Sequence, residues 1–315
     1  MSEFDGLKIA AIVPCHNEAI SIGAVVRDLK AAVSGIDVYV YDNRSSDNTA
    51  EVAAAAGAIV RKEELKGKGN VVRRAFADVE ADVYVLIDGD DTYDASAAAA
   101  MIRTLVDGQY DHVLGVRQET TDTAYRPGHA LGNRAFNRLV GAVFGLPVSD
   151  MLSGYRVFSR RFVKSFPALS REFEIETELT VHSMSLRVPQ TEMQVGFKDR
   201  PEGSESKLRT YHDGFRILSL IAQLIRHERP LPFYGILGAI LVVIALIIGI
   251  PIIVEFLRLG SVPRLPSAVL ATGLVTMGCL SWMVGLVLDG VLRARREVAR
   301  LAYLQYGVTR IAKNA

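Results

Sequence analysis

The sequence predicts an α/β fold with a mostly parallel sheet, followed by two helices long enough to cross a membrane. In the first part of the chain, short β-prone runs alternate with helical patterns, which favours parallel strands covered on both faces. Two later runs, 231–254 and 265–288, contain no charged residue, and each can span a hydrocarbon core of about 30 Å. The first of these runs is apolar on every face, unlike a surface helix of a soluble protein.

Composition excludes several classes of protein. The 315 residues carry a formal net charge of +1, so we expect no overall attraction to nucleic acid. Cys15 and Cys279 lie far apart and form neither a zinc-type spacing nor a disulfide framework. No basic segment followed by a long apolar run opens the chain, so we expect no signal peptide and a cytoplasmic N-terminal part.

The N-terminal elements can be placed in order. The predicted strands are 8–13, 37–41, 58–60 and 84–87, and the predicted helices are 19–33, 49–56 and 70–79. Three of these strands end in polar clusters, at 14–18, 42–47 and 88–91. Because parallel sheets bind ligands beyond the carboxyl ends of their strands, we expect the three clusters to form one site.

The cluster after the fourth strand is rich in carboxylates. Asp88, Asp90 and Asp91 surround Gly89 directly after an apolar run. Oxygen ligands favour a hard cation, Mg²⁺ or Mn²⁺. Taken alone, these residues are more typical of a solvated turn, and only a nucleotide site supplied by the rest of the chain favours a metal. No glycine fingerprint of a dinucleotide fold and no phosphate-binding P-loop is present, so a nucleotide would be held by side chains and a metal.

Seven motifs, in order, resemble those of the inverting GT-A glycosyltransferases of family 2. Within that family they resemble the polyprenyl-phosphate sugar synthases of the dolichyl and undecaprenyl type, which include bactoprenol glucosyltransferases. The motifs are 12–18, 42–49, 66–69, 88–91, 132–134, 150–156 and 173–178. The resemblance covers almost the whole chain, including the two apolar runs, and it implies a Rossmann-like GT-A catalytic domain.

The resemblance implies a role for each matching position. It implies nucleotide binding by Pro14, Asn17, Glu18, Asp42, Asn43, Lys68, Asp88 and Gly89. It implies metal ligation by Asp88 and Asp90, with Mg²⁺ or Mn²⁺ as the cofactor. The second motif is more commonly Asp-Asp-Gly-Ser, whereas Asn43 and Arg44 replace its second Asp and its Gly here. This departure leaves Asp42 as the expected contact to the base.

A second group of residues would serve the transfer itself. The resemblance implies catalytic roles for Asp150, Arg117 and Arg134, and phosphate or acceptor binding by Arg117, Arg134, Arg156, Lys207 and Arg209. Arginine suits a diphosphate leaving group and a phosphate acceptor because it binds such groups bidentately. A lipid phosphate is already an anion, so Asp150 either acts as a base or orients the nucleophile or a partner arginine.

Two further stretches leave alternatives open. Glu174, Glu176 and Glu178 share a face if they lie on a strand, whereas only Glu174 and Glu178 share one on a helix. The segment 200–209 is polar, and we expect it to close over the donor phosphates. Residues 215–225 predict a helix, either interfacial or packed on the catalytic domain.

The charges around the apolar runs predict an orientation. Both flanks are rich in arginine, at 226, 229, 293, 295, 296 and 300, whereas the joining loop carries only Arg258 and Arg264. By the positive-inside rule both flanks are cytoplasmic. The expected organisation is a catalytic domain at 1–210, a juxtamembrane amphipathic helix at 211–230, a transmembrane hairpin at 231–290 and a basic tail at 291–315.

The predicted function is inverting transfer of a sugar to the phosphate of a polyprenyl phosphate at the cytoplasmic face of the inner membrane. UDP-glucose is the favoured donor, and GDP-mannose and UDP-GlcNAc are alternatives. The expected partners are the donor, the lipid acceptor and membrane lipids, without nucleic acid, and the resemblance suggests a homotetramer. A polysaccharide synthase and a non-catalytic membrane regulator are the alternative classes.

Overall fold

The structure, a computed structural model, describes residues 3–119, 149–168, 175–198 and 229–309, together with Arg226. Its strands are β1 (Ile9–Cys15), β2 (Asp37–Asp42), β3 (Ile59–Lys62), β4 (Val83–Leu86), β5 (His112–Glu119), β6 (Arg156–Ser159) and β7 (Gln190–Phe197). Its helices are α1 (Ile22–Ala32), α2 (Thr49–Ala55), α3 (Lys68–Asp78), α4 (Ala98–Asp107), α5 (Arg160–Ser165), α6 (Ile175–Leu186), α7 (Pro230–Leu259) and α8 (Leu265–Leu304).

The strands form a seven-stranded sheet in the order β3-β2-β1-β4-β6-β5-β7. The pairs from β3 to β4 are all parallel, and β5 is parallel to β7. Only β6 runs against its neighbours, β4 and β5. The mostly parallel sheet predicted from the sequence is therefore confirmed. The antiparallel strand β6 lies between β4 and β5 in the sheet, and strand-helix alternation alone does not predict it.

The centre of the sheet consists of apolar strands covered on both faces. All of β4 is buried, and so is all of β1 except Pro14. A parallel strand buried on both faces has the continuous apolar sequence that marked these two strands in the chain. Helices α1 and α4 pack on one face of the sheet, and α3, α5 and α6 pack on the other.

The chain divides into two compact units. The first contains residues 1–210 and 298–315, and the second contains residues 211–297. Both α7 and α8 are long and apolar enough to cross a membrane by length and composition, and little of their most apolar segments is buried. Helix α7 ends at Gly260, whose φ of 67° is the left-handed conformation that glycine tolerates best. Helix α8 continues to Leu304, so the tail predicted to follow residue 290 begins as helix.

Close packing joins the two apolar helices. The indole Nε1 of Trp282 donates to the carbonyl of Gly235 at 3.0 Å. A Cβ on Gly238 would lie 2.8 Å from the carbonyl oxygen of Gly278, and a Cβ on Gly278 would lie 2.9 Å from that of Gly238. These distances leave no room for a side chain. Small residues are characteristic of helix pairs that pack backbone to backbone.

The last described residues pack within the first unit. The hydroxyl of Tyr303 donates to Oδ2 of Asp111 at 2.8 Å. Asp111 also accepts from Nε and Nη2 of Arg161, at 2.5 Å and 2.7 Å, and the Arg161 guanidinium lies over the Tyr303 ring. Tyr303 is 5% exposed and belongs to the core beneath α3 and α6. The core of this unit is therefore completed by a distant part of the chain.

Candidate functional site

The predicted convergence of polar strand ends is visible in the geometry. Cys15 pairs with Asp42 at the ends of β1 and β2, and the Asn43 amide donates to the Cys15 carbonyl at 2.8 Å. Gly89, beyond β4, lies against β1: a Cβ there would sit 2.4 Å from the sulfur of Cys15 and 3.4 Å from the Pro14 carbonyl oxygen. The close approach requires glycine. The three polar clusters thus meet at one edge of the sheet.

Hydrogen bonds fasten the loop after β1 to the loop after β2. Oδ1 of Asn17 accepts from the amide of Ser46 at 2.7 Å, and the Asn17 amide donates to Oγ of Ser45 at 2.9 Å. The amide of Glu18 donates to Oγ1 of Thr49 at 2.9 Å. The Asn17 side chain, predicted to bind nucleotide, therefore links the two loops through its bond to Ser46.

The departure from the common second motif has a structural explanation. Both amide hydrogens of the Asn43 side chain are used, since Nδ2 donates to the carbonyls of Glu63 and Leu65, each at 2.8 Å. Its Oδ1 accepts from the amide of Gly67 at 2.7 Å. Asn43 thus holds the segment that leads into Lys68. Arg44 has a φ of 64°, which explains why glycine is common at this position.

Lys68 lies between two carboxylates. Its Nζ is 2.5 Å from Oδ1 of Asp88 and 2.5 Å from Oε1 of Glu176. Burial lowers the pKa of Lys68, but the two carboxylates outweigh it, so the net pKa lies above its ordinary value. Burial raises the pKa of Glu176, and the Lys68 ammonium offsets part of that shift. Gly154 closes this cluster, because a Cβ there would lie 2.2 Å from Oδ2 of Asp88.

Asp90 and Asp91 are held in different ways. Oδ1 of Asp90 accepts from the amide of Thr92 at 3.2 Å and from its hydroxyl at 2.7 Å. Asp90 is buried, whereas Asp91 forms an ion pair of 2.8 Å with the exposed Lys198. Within the described ranges, no group of three or more His, Cys, Asp or Glu side chains could hold a metal by itself.

Arg117 and Asp150 bind each other through a two-pronged ion pair. Nε and Nη2 of Arg117 each donate to a different Asp150 oxygen at 2.7 Å. The guanidinium also lies over the ring of Phe197, 5.4 Å from its centroid. Burial lowers the pKa of Arg117, but the Asp150 carboxylate reverses the shift and raises it. This is the geometry expected if Asp150 orients a partner arginine.

Arg156 is held by hydrogen bonds inside the first unit. Its side chain is fully buried. Its Nε donates to the carbonyl of Ser153 at 2.9 Å, Nη2 to that of Met151 at 2.8 Å, and Nη1 to the Thr180 hydroxyl at 2.8 Å. Arg156 thus supports the loop that follows Asp150, and its predicted binding of phosphate stays a prediction. Its place at the start of the antiparallel strand β6 explains the burial.

Several predicted residues lie outside the described residues. They are Arg134, Glu174, Lys207 and Arg209, together with the 200–209 loop and the 215–225 helix. Glu176 and Glu178 both lie on α6, so the strand alternative for that motif is wrong. The motif match at 173–178 drew attention to Glu176, but nothing in the sequence pairs it with Lys68. Thr92 is not among the predicted site residues, although its local sequence could have indicated it, because Asp-x-Thr is a common Asx-turn pattern.

Comparison with known proteins supports an enzyme of one family. The model of the family described as "Glycosyl transferase family 2" matches residues 10–166. The glycosyltransferase AglJ of Haloferax volcanii is 31% identical over 295 residues, which cover 92% of this chain and 95% of AglJ. A dolichyl-phosphate hexose transferase of the same organism is 28% identical over 230 residues, covering 73% of this chain and 99% of that protein.

The fold is also found in a solved structure. The Mycobacterium tuberculosis glucosyl-3-phosphoglycerate synthase, in complex with Mn²⁺, UDP-glucose and phosphoglyceric acid, superposes with a TM-score of 0.57. The match covers 70% of this chain and 79% of that one, at 22% identity, and so supports the GT-A fold alone. Together with the nearly full-length match to AglJ, these findings show that the chain is a glycosyltransferase and belongs to glycosyl transferase family 2.

Proposed function

We propose that this glycosyltransferase transfers a hexose, with glucose from UDP-glucose favoured, to the phosphate of a polyprenyl phosphate. One observation carries the proposal: the same chain contains a GT-A-type acidic strand end and two helices suited to a membrane. A soluble donor and a lipid acceptor require that combination. The 99% coverage of a dolichyl-phosphate hexose transferase supports the acceptor class.

The reaction is a single displacement with inversion. An oxygen of the lipid phosphate attacks the anomeric carbon, and the bond from that carbon to the nucleoside diphosphate breaks with its electron pair. Because the lipid phosphate is already an anion, no base is needed to deprotonate it. Asp150 instead fixes the Arg117 guanidinium through two 2.7 Å bonds, and Arg117 stabilises charge on a phosphate.

The donor set fits Mg²⁺ or Mn²⁺. Such ions are commonly bound through one or two carboxylates and completed by substrate phosphates and water. Asp90 is the better placed carboxylate because Thr92 fixes one of its oxygens, whereas Asp88 is paired with Lys68. The ion, when bound, would neutralise charge on the departing diphosphate. The synthase crystallised with Mn²⁺ and UDP-glucose indicates that this fold accommodates such a pair.

The remaining nucleotide contacts are assigned by position. Pro14, Glu18 and Asp42 line the edge at which β1 and β2 end, beside Gly89. Asp42 is 7% exposed and its Oδ1 accepts from the Ser45 amide, which fixes the carboxylate proposed to contact the base. Arg134, Lys207 and Arg209 stay predicted phosphate ligands.

The proposed location is the cell membrane, with the catalytic unit in the cytoplasm. Arginines flank the two apolar helices on the sides that join the catalytic unit, which is the pattern of cytoplasmic segments. The amphipathic helix at 211–230 and the homotetramer stay predictions.

The test is incubation of membranes containing the protein with a panel of radiolabelled nucleotide sugars and added polyprenyl phosphate. We expect label from one donor, UDP-glucose first, to move into the organic extract as an acid-labile lipid-linked monosaccharide. Membranes with the Asp90→Ala variant are the control and should transfer none. Label recovered only as a water-soluble polymer would support a polysaccharide synthase instead, and no transfer from any donor would support a regulator.

A further inference from the structure

Glu176 has one carboxylate oxygen with no hydrogen-bond partner in the described part of the chain. The residue is 4% exposed, and its Oε1 is 2.5 Å from Nζ of Lys68. Its Oε2 is buried and accepts no hydrogen bond from the residues that the structure describes. A buried carboxylate oxygen without a donor is costly, because the charged group has lost its hydration without gaining a hydrogen bond in exchange. Such an atom in a native structure calls for an explanation, and a ligand donor is one.

The charges around Glu176 restrict what that ligand can be. Lys68 is shared by the carboxylates of Glu176 and Asp88, so the three side chains carry an excess of negative charge. Since both carboxylate oxygens lie 2.5 Å from the same nitrogen, they are at most twice that distance apart. An anionic phosphate is disfavoured beside such a cluster. The Lys68 ammonium, 2.5 Å from each carboxylate, disfavours a second cation at the same place. A neutral group that donates hydrogen bonds is therefore favoured.

The cluster also lies next to the residues that would bind the donor. Asp88 is separated from Asp90 only by Gly89, which contacts the end of β1. The side chain of Asp88 is 29% exposed, whereas those of Lys68 and Glu176 are 8% and 6% exposed. The three groups therefore extend inward from the nucleotide edge. Gly154 packs against this cluster, since a Cβ there would lie 3.0 Å from Nζ of Lys68.

We propose that Oε2 of Glu176 accepts a hydrogen bond from a hydroxyl of the donor sugar, which makes Glu176 a specificity-determining residue. This inference rests on the proposed function, because it requires a nucleotide sugar as the ligand. A sugar hydroxyl is a neutral donor, as the charge balance requires. A site built to hydrogen-bond a substrate hydroxyl rejects analogues that lack it, because its polar group is left unpaired. Lys68 holds Glu176 in place for this contact.

The test compares binding of UDP-glucose with binding of UDP alone, in the presence of Mn²⁺, for the full-length protein in detergent. Glu176→Gln should weaken UDP-glucose binding by roughly 10- to 100-fold, as expected for a lost hydrogen bond to a charged group. It should change the Kd of UDP by no more than about twofold, because UDP lacks the sugar. Glu178→Gln, two residues further along α6, is the matched control and should change neither. Equal weakening of both ligands, or of neither, would overturn the proposal.

A second comparison identifies the hydroxyl. Among the monodeoxy analogues of UDP-glucose, only one should bind the parent protein more weakly than UDP-glucose does. Glu176→Gln should bind that one analogue as tightly as the parent protein binds it. If every deoxy analogue shows the full Glu176→Gln penalty, the carboxylate does not contact the sugar. Should Glu176→Gln fail to fold, Glu176→Asp keeps the charge beside Lys68, withdraws the oxygen by one methylene and carries the same expectation.

The outcome is separable from that of the proposed function. Binding is measured without a lipid acceptor, so a failure of transfer to polyprenyl phosphate leaves the result standing. If UDP-glucose does not bind the parent protein, the same comparison is made with GDP-mannose against GDP and with UDP-GlcNAc against UDP. If no nucleotide sugar binds more tightly than its nucleoside diphosphate, the proposal is wrong even where transfer is observed.

Discussion

The guanidinium of Arg117 binds the carboxylate of Asp150 through two hydrogen bonds of 2.7 Å, one to each oxygen. Arg117 is on β5, and Asp150 precedes the loop that leads into β6. Bidentate pairs of this kind fix both direction and distance, which a lysine in the same place would not do. The two residues should therefore behave as one unit in the reaction.

Asp150→Asn should lower the transfer rate by roughly a hundredfold, because the amide cannot accept both Arg117 hydrogen bonds. Arg117→Lys should have a similar effect, and the double variant should be little worse than either alone. The measurement is the rate at which labelled sugar enters the organic extract. Asp78→Asn, which removes a peripheral ion pair with Arg74, is the control and should leave the rate unchanged. A normal rate for Asp150→Asn would remove the pair from the site.

Thr92→Val should raise the Mn²⁺ concentration needed for half-maximal rate by roughly 10- to 100-fold, since Thr92 fixes one oxygen of Asp90. Saturating Mn²⁺ should restore most of the rate, whereas a chelator should abolish it for both proteins. The matched control is Ser96→Ala, because Ser96 donates to Oδ1 of Asp94 at 2.6 Å in the same local pattern outside the site. An unaltered metal requirement in Thr92→Val would contradict the assignment of Asp90.

Arg44→Gly should keep or raise the free energy of unfolding, by up to about 1 kcal/mol. A left-handed backbone costs residues other than glycine roughly 1–2 kcal/mol, and glycine removes that cost. Glycine also raises the conformational entropy of the unfolded chain, which lowers the free energy of unfolding by about 0.4–1 kcal/mol. Arg44→Val should be less stable by about 1–2 kcal/mol, because a β-branched residue tolerates a φ of 64° poorly. Thermal unfolding of both variants in detergent decides this. A glycine variant less stable than the valine variant would show that the Arg44 side chain matters more than its backbone.

Acidification should destabilise the first unit through a buried histidine. Burial lowers the pKa of His182 to about 4, below its ordinary value of 6.5, so the unfolded state binds more protons between these values. Stability is therefore fully present above pH 6.5 and is lost as the pH falls toward about 4. His182 alone should account for about 2 kcal/mol between neutral pH and pH 5. Burial lowers the pKa of His112 as well, which adds in the same direction.

The measurement is the Tm of the protein at the two pH values. His182→Gln cannot take up a proton at either pH, so the fall in Tm should be smaller in that variant. The exposed fraction of His182 is 8%, and its Nε2 lies 3.0 Å from the Ser165 hydroxyl. An equal fall in Tm for the parent and His182→Gln would assign the acid sensitivity to other groups.

The sequence predicted the elements that depend on local pattern. Strands β1 and β4 were evident because strands buried on both faces are apolar throughout, and the acids at their ends mark the edge where ligands bind. Contacts between distant segments could not be predicted in this way. Nothing near Lys68 indicates that Glu176 is its partner, and nothing near Arg156 indicates that it starts an inserted antiparallel strand. The residue type alone does not distinguish an arginine that binds phosphate from one that supports a buried loop.

The contact between Tyr303 and Asp111 has a consequence for the order in which the protein is made. The catalytic unit is discontinuous, since its last piece is synthesised only after both apolar helices. Until then Asp111 has Arg161 but lacks the tyrosine hydroxyl, and the core under α3 and α6 is missing a ring. Release of a finished enzyme therefore waits for the hairpin. A chain truncated before the hairpin would be released from the ribosome with an incomplete core.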